Sequence, residues 1–403
     1  MPPLKPMLVL AEAQQRLLST ITPLPLETLP IEQAAGRWLA EPLDARRTQP
    51  AADLSAMDGY AMRAQDLPGP WRVIGESAAG HPWPHPVQPG EAIRIATGAL
   101  MPQGADAMVL QEDVTRDGDH LALTGDAPNP PGRHIRRTGL DFTQGTPLLP
   151  AGTRLGAAQI ALAISGGHGS VSVRRLPRVT IIDSGDELVP PGADPRPHQI
   201  PASNGAMLAA MVAATGAQVT RIGPVRDDLD ALIAALNSAR DADVIVTSGG
   251  ASVGDHDLIR PALQAWGAEL AFWRVAMRPG KPLMHAQRGG LHVLGLPGNP
   301  VSGLVCGHFF LLPMLRAMMG AGTVLPRRLG ARLTAPVPAG GKRQEFLRGL
   351  WDGETVTPNP MRDSSALAAL AASNCLIDRP IDAEAAETGA NVGIYLLDPH
   401  SVA

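Results

Sequence analysis

Between residues 177 and about 320, apolar runs of strand length alternate with helix-length periodic segments, and this alternation limits the possible folds more than any other feature. RVTIID (178–183) predicts a strand and NGAMLAAMVAATGA (204–217) a helix ending at a C-cap glycine. QVTRIG, DDLDALIAALNSAR (227–240, capped by aspartate) and DVIVTS continue as strand, helix, strand. DLIRPALQAWGA, LAFWRVA, LHVLGLPG and the apolar helix after 299 complete the series. Strands alternating with helices of ~10 or more residues predict a parallel, doubly wound α/β sheet, which binds ligands outside the C-terminal ends of its strands.

The flanks have another texture. Residues 1–175 carry short apolar stretches broken by Pro and Gly, apart from predicted helices at ~7–20 and 156–167, and residues after 325 return to short β-like pieces. A chain of 403 residues suits two to four domains of ~100–200 residues each. With 44% hydrophobic and 18% charged residues it reads as globular. Net charge is −4 with no basic block, which disfavours a general nucleic-acid binder. Two cysteines, Cys306 and Cys375, exclude a disulfide framework and a four-cysteine zinc site and suit a reducing cytoplasm. The N-terminal run continues into Glu12, Gln14, Gln15 and Arg16, an amphipathic helix and not a signal peptide. The apolar segment 301–320 is interrupted by His308, Pro313 and Arg316, which predicts a buried core helix and no membrane span.

Five stretches could carry chemistry. TSGGASVGDHD (247–257) sits at a strand-to-helix turn. Its glycines offer bare N–H groups to an anion, yet Asp255 and Asp257 would repel one. A hard cation between carboxylates and phosphate oxygens resolves the conflict; helix capping by the aspartates is the plainer alternative. SGDELVPPG (184–192) sets Asp186 and Glu187 after another strand, or is a turn that one carboxylate caps, and VRDDLD adds Asp227 and Asp228, one of which a helix cap would absorb. Arg274, Arg278 and Lys281 in WRVAMRPGKP suit a polyanion, or form a solvated basic edge. GLPGNPVSG (295–303) is a rigid turn in which Asn299 could cap the next helix. SAMDGYAMR (55–63) is not expected as a core strand, because Asp and Gly are poor strand formers. RRTGLDFTQG adds Arg136, Arg137 and Asp141 in a similar setting, and His256 is as well read as a solvent-facing residue.

SAMDGYA, RxxGxDF, SGDELV, SNGAML, SGGASVGDHD, FWRVAMRPGKP, LPGNPVS and QEFLRG follow in the order of the MoeA/gephyrin family of molybdopterin molybdenumtransferases, which the chain resembles from ~10 to ~395. The resemblance implies insertion of molybdate into adenylyl-molybdopterin with release of AMP, assisted by Mg²⁺. It also implies an elongated homodimer whose active site is shared between subunits, and dealings with other proteins of molybdenum-cofactor biosynthesis. Its four domains would be a discontinuous N-terminal domain (1–26, 46–53, 139–176), a β-rich inserted domain (27–45, 54–138), the α/β molybdopterin-binding domain (177–325) and a C-terminal β-domain (326–403).

Carried over motif by motif, the resemblance makes Asp58, Asp141, Glu187, Asp227 and Asp257 catalytic, and gives Asp186, Glu187, Asp255 and Asp257 to the metal. Substrate binding would fall to Thr97, Arg136, Ser184, Gly185, Asp186, Ser248, Gly249, Gly250, Ser252 and Gly254 on one side. Arg274, Arg278, Lys281, Pro297, Gly298, Asn299, Pro300, Ser364 and Ser365 would complete it. Departures are the pair Asp183-Ser184, where the family commonly has Pro-Thr or Ser-Thr, and Ala251 in place of a frequent valine; arginine at 274 and 278 replaces the lysine of some members. Two other readings are an adenylyltransferase acting on molybdopterin, which the long β-rich flanks disfavour, and a non-catalytic scaffold, which the retained carboxylates disfavour.

Overall fold

The structure is a computed structural model that describes residues 7–249, 258–272 and 274–397. At its centre six strands, β1 (Arg178–Ser184), β2 (Gln218–Val225), β3 (Val244–Ser248), β4 (Glu269–Phe272), β5 (Met284–Arg288) and β6 (Leu291–Leu296), lie in the order β2-β1-β3-β6-β5-β4. The first four in that order run parallel. Helices α1 (Asn204–Ala213), α2 (Leu229–Ser238) and α3 (Ile259–Ala265) follow β1, β2 and β3. The expectation of a parallel sheet fails at one strand, β5, which runs antiparallel to both its neighbours, β6 and β4. Only Gly289 and Gly290 separate β5 from β6, a loop that closes a hairpin and is far too short for a parallel crossover.

Both faces of the sheet are covered, which is why its strands read as unbroken apolar runs. Val244 and Val246 face a core with Leu17, Leu208, Val305 and Phe309, while Ile245 between them faces Leu232, Leu236, Ile259 and Leu263. The segment predicted as a core helix is one: Pro300–Met318 is long and apolar enough to cross a membrane, yet 83% of its apolar window is buried in the protein. It widens to a π-turn at Gly307–Leu311, because Pro313 has no N–H for the Phe309 carbonyl and its ring crowds that oxygen. Just before β3, Asp243 accepts from both Arg175 guanidinium nitrogens at 2.7 and 2.6 Å and from the Arg178 N–H at 2.8 Å. The start of β1 is thereby pinned to the start of β3.

A second six-stranded sheet holds the strands from Gly59–Met62 to His120–Leu123. Here the reading of SAMDGYAMR is corrected. Asp58 precedes the strand, but Gly59–Met62 is a fully buried strand paired on both sides, with Glu91–Ile95 and Ala107–Leu110. Glycine is needed at its head, since a Cβ on residue 59 would lie 2.1 Å from the Val109 carbonyl oxygen. Helices at Leu10–Leu18 and Ala157–Ser165 match the two expected in the N-terminal half.

The C-terminal strands form a closed sheet. Gln344–Trp351 pairs with Thr355–Pro358 and with Cys375–Arg379, and the ring is completed by Leu329–Leu333 and Asn391–Leu396. Met277–Arg278, from the α/β region, adds to this sheet in parallel beside Gln344 and Glu345.

Candidate active site

Two cavities meet at the carboxyl edge of the central sheet. The first, about 390 Å³, opens at the ends of β1 and β3 and is lined by Ser184, Glu187, Ser248 and Gly249, among others. The second, about 530 Å³, lies between the RPGK turn and the C-terminal sheet and is lined by Arg278, Lys281, Arg343, Glu345 and Arg362. Asn299 lines both, and the neighbours Ser364 and Ser365 line one each. One cavity sets carboxylate and hydroxyl groups against an apolar lining, and the other gathers four cations around Glu345 and Asp363.

Local backbone explains the first. β1 and β3 end side by side, with Asp183 opposite Ser248. The chain then turns at Gly249 with φ +98°, where a Cβ would lie 2.3 Å from the Ser184 carbonyl oxygen. Ser184 is 2% exposed and its Oγ has no hydrogen-bond partner among the described residues. The Asp186 carboxylate accepts the Asp227 N–H at 3.2 Å, bringing two acidic motifs together. Asp228 is the residue that caps α2, accepting the Ala231 N–H at 2.9 Å, so Asp227 is not used as the cap.

The cationic cavity is built from two domains. Asn299 occupies the N-cap position of the helix begun by Pro300 but makes no capping bond, which leaves its amide for a ligand. The Val301 N–H donates to the Ser364 carbonyl at 3.1 Å, docking the 361–366 loop against that helix. Arg348, 4% exposed, holds the loop from beneath through the carbonyls of Asp363 and Ala366, both at 3.0 Å, and of Met361. Arg278 pairs with Glu345 at 3.2 Å. No carboxylate lies within ion-pair distance of Lys281, Arg343 or Arg362 among the described residues. Arg343 and Arg362 were not among the expected site residues.

Other expected residues are placed elsewhere. Asp58, Thr97, Arg136 and Asp141 line neither cavity. Asp58 accepts the Thr97 N–H at 2.6 Å and the Thr97 hydroxyl at 2.9 Å, and these bonds hold its carboxyl below the usual carboxylate range. Asp141 donates its N–H to the Gln49 carbonyl at 3.1 Å. Arg274 lines neither cavity; its carbonyl accepts the Leu8 N–H at 3.0 Å. Gly185, Pro297, Gly298 and Pro300 sit in the turns that shape the first cavity, and the Gly298 carbonyl accepts the Asn204 side-chain amide at 2.6 Å. Gly250, Ser252, Gly254, Asp255, His256 and Asp257 lie outside the described residues.

Comparison with known proteins now decides the lineage. Residues 8–167 match the MoeA N-terminal region (domain I and II), 180–317 a probable molybdopterin binding domain and 330–397 the MoeA C-terminal region (domain IV). A molybdopterin molybdenumtransferase of Nostoc is 36% identical over 92% of this chain and 88% of its own. The chain belongs to the molybdopterin molybdenumtransferase family. Another member, molybdopterin molybdenumtransferase 2 of Mycobacterium tuberculosis, is 35% identical over 91% of this chain and 94% of its own. A molybdopterin biosynthesis MoeA protein from Pyrococcus horikoshii has the same fold, with a TM-score of 0.83, 28% identity and coverage of 97% of this chain and all of that one. The family's multidomain architecture, an α/β centre between β-rich ends, is the one described above.

Proposed function

We propose that this transferase inserts molybdenum into molybdopterin by taking molybdate and adenylyl-molybdopterin as substrates and releasing AMP. The observation that carries the reading is the pair of cavities sharing Asn299: one suits a substrate with hydrogen-bonding rings and a phosphate, the other a small dianion. Molybdate in the cationic cavity would be met by Lys281, Arg343 and Arg362, with Arg278 and the Ser364 hydroxyl beside them. Relatives named for molybdenum transfer support the same assignment.

Among the described residues no group of three carboxylate, histidine or cysteine side chains is poised to hold a metal. Mg²⁺ needs only one or two carboxylates and takes phosphate oxygens and water as its other ligands. Asp186 and Glu187 offer such oxygens at the sheet edge, with Asp255 and Asp257 the remaining candidates by motif. Bound there, Mg²⁺ would supply charge neutralisation at the phosphate of the leaving AMP. The chain's own contribution is binding and orientation: cations for the oxyanion, main-chain N–H groups and Ser248 for the ester. The dithiolene sulfurs belong to the substrate, so the buried Cys306 and Cys375 need take no part.

We extend the proposal to a cytoplasmic homodimer that completes each site with Asp58 and Asp141 of the opposite subunit. Its support is that these carboxylates line neither cavity of their own chain, and that Met57 and Leu140, next to them in sequence, are exposed. Exchange of substrate and product with other proteins of cofactor biosynthesis belongs to the same reading. The test is the purified protein with adenylyl-molybdopterin, Mg²⁺ and molybdate, following AMP. Molybdate-dependent AMP release lost in Asp257→Ala is expected; AMP release indifferent to both would sink the mechanism.

A further inference from the structure

Asp58 is exposed at the end of a loop, yet it is fixed from both sides of the strand that follows it. One carboxylate oxygen, Oδ1, accepts both the N–H and the hydroxyl of Thr97, just past the end of Glu91–Ile95, and Oδ2 has no hydrogen-bond donor among the described residues. From the other side, the Asp58 carbonyl accepts the N–H of Gln111, the first residue after Ala107–Leu110, at 3.3 Å. Arg94 joins the two sides. It stands directly opposite Tyr60, with its guanidinium carbon 5.4 Å from the centre of that ring. From there Nη1 donates to the Gly59 carbonyl at 3.1 Å and Nη2 to Gln111 Oε1 at 2.7 Å. One side chain thus crosses the middle strand of three, and holds both the residue after Asp58 and the residue whose N–H meets the Asp58 carbonyl. After the two Thr97 bonds, its positive charge is a further influence that favours ionised Asp58.

We propose that Arg94 is a positioning residue, which aims the open oxygen of Asp58 out of its own subunit and into the site of the opposite one. The inference rests on the role given above to Asp58 and adds what holds that carboxylate in place before the subunits meet. A group that acts across an interface works best when fixed in advance, because ordering it on contact costs conformational entropy. Arginine suits the task because its planar fork presents donors at a fixed separation. A lysine could reach the Gly59 carbonyl or Gln111 but has no rigid fork to hold both. Arg94 lines neither cavity at the sheet edge, so its influence on the reaction runs through Asp58.

The test is molybdate-dependent AMP release by the full chain. Arg94→Met keeps an apolar stem over Tyr60 and removes both donors. It should lower the rate at saturating substrates at least tenfold, while the half-saturating concentrations of molybdate and adenylyl-molybdopterin change less than twofold. Arg94→Lys should recover part of the rate, and Arg72→Met, an exposed change on the same sheet, should leave it unchanged. Mixed and exchanged with Asp257→Ala protein, Arg94→Met should recover about a quarter of native activity, as Asp58→Ala should; mixed with Asp58→Ala it should recover none. If Arg94→Met fails to fold, Gln111→Ala, which removes one contact of the fork, should show the same pattern with a severalfold loss. An unchanged rate in folded Arg94→Met, or a loss confined to half-saturation, would overturn the assignment. So would recovery with Asp257→Ala by the Asp58 variant but not by the Arg94 variant. Full activity of Asp58→Ala, or no recovery by either variant, would instead bring down the role of Asp58 and this assignment with it, so the two failures are told apart.

Discussion

Lys281, Arg343 and Arg362 line the anion cavity without a carboxylate to neutralise them among the described residues, whereas Arg278 is engaged by Glu345. Removing one free cation should therefore cost oxyanion affinity directly. Lys281→Ala or Arg362→Ala is expected to raise the molybdate concentration for half-maximal AMP release about tenfold, with stability changed by less than about 0.5 kcal/mol. An unchanged molybdate dependence in both variants would move the oxyanion elsewhere. Asp243 gives a prediction of another kind. Burial alone would raise its pKa, but the Arg175 fork and the Arg178 N–H outweigh it, so the native carboxyl is more acidic than the unfolded one at 3.8. Its contribution is thus complete above pH of about 4 and fades as acid carries the native group through its own lower pKa. Asp243→Asn should cost about 2 kcal/mol in urea unfolding at pH 7 and less as the pH falls below 4. Motif carboxylates such as Asp186 and Glu187 were legible in sequence because strand ends advertise themselves. Arg343 and Arg362 were not, because the RPGK turn that they face across the cavity lies more than sixty residues earlier in the chain; the only signal was basic residues flanking QEFLRG and the late Ser-Ser pair.

At the scale of elements, one buried guanidinium shapes a loop. Arg348 donates to three main-chain carbonyls of residues 361–366, where Ser364, Ser365 and Arg362 are carried. Arg348→Met keeps much of the volume and orphans those carbonyls. It should speed amide exchange across 361–366, lower oxyanion affinity at least tenfold and cost about 3 kcal/mol of stability. Retained exchange protection in the variant would show that packing alone holds the loop. The α/β alternation was readable because parallel strands covered on both faces become apolar runs bounded by caps. Its antiparallel edge was not, since the strand before the GG turn reads MHAQR, too polar to stand out beside the apolar runs. Gly59–Met62 was misjudged for a related reason: glycine looks like a strand breaker until a neighbouring carbonyl is seen to need its missing Cβ. CLIDR (375–379), which closes the C-terminal sheet, carries Asp378 and Arg379 within the strand and so lacks the unbroken apolar run that marks DVIVTS.

For the whole molecule, the separation of Asp58 and Asp141 from both cavities leads to a mixing experiment. If each site joins the sheet edge of one subunit to the Asp58 region of another, Asp58→Ala and Asp257→Ala proteins, each inactive alone, should recover about a quarter of native activity after equal mixing and exchange. Half of such dimers are mixed, and each mixed dimer holds one intact site. Sedimentation should give twice the chain mass, and no recovery despite subunit exchange would place both residues in one protomer's site.

Met277–Arg278 has a mechanical meaning as well as a chemical one. By hydrogen-bonding in register beside Gln344 and Glu345, it makes the α/β region contribute a strand to the C-terminal sheet. Two walls of the cationic cavity are therefore joined by main-chain pairing. A chain cut before Leu329 would lose that seam, leave Met277–Arg278 as a bare edge open to pairing with another copy, and should aggregate where the full chain does not.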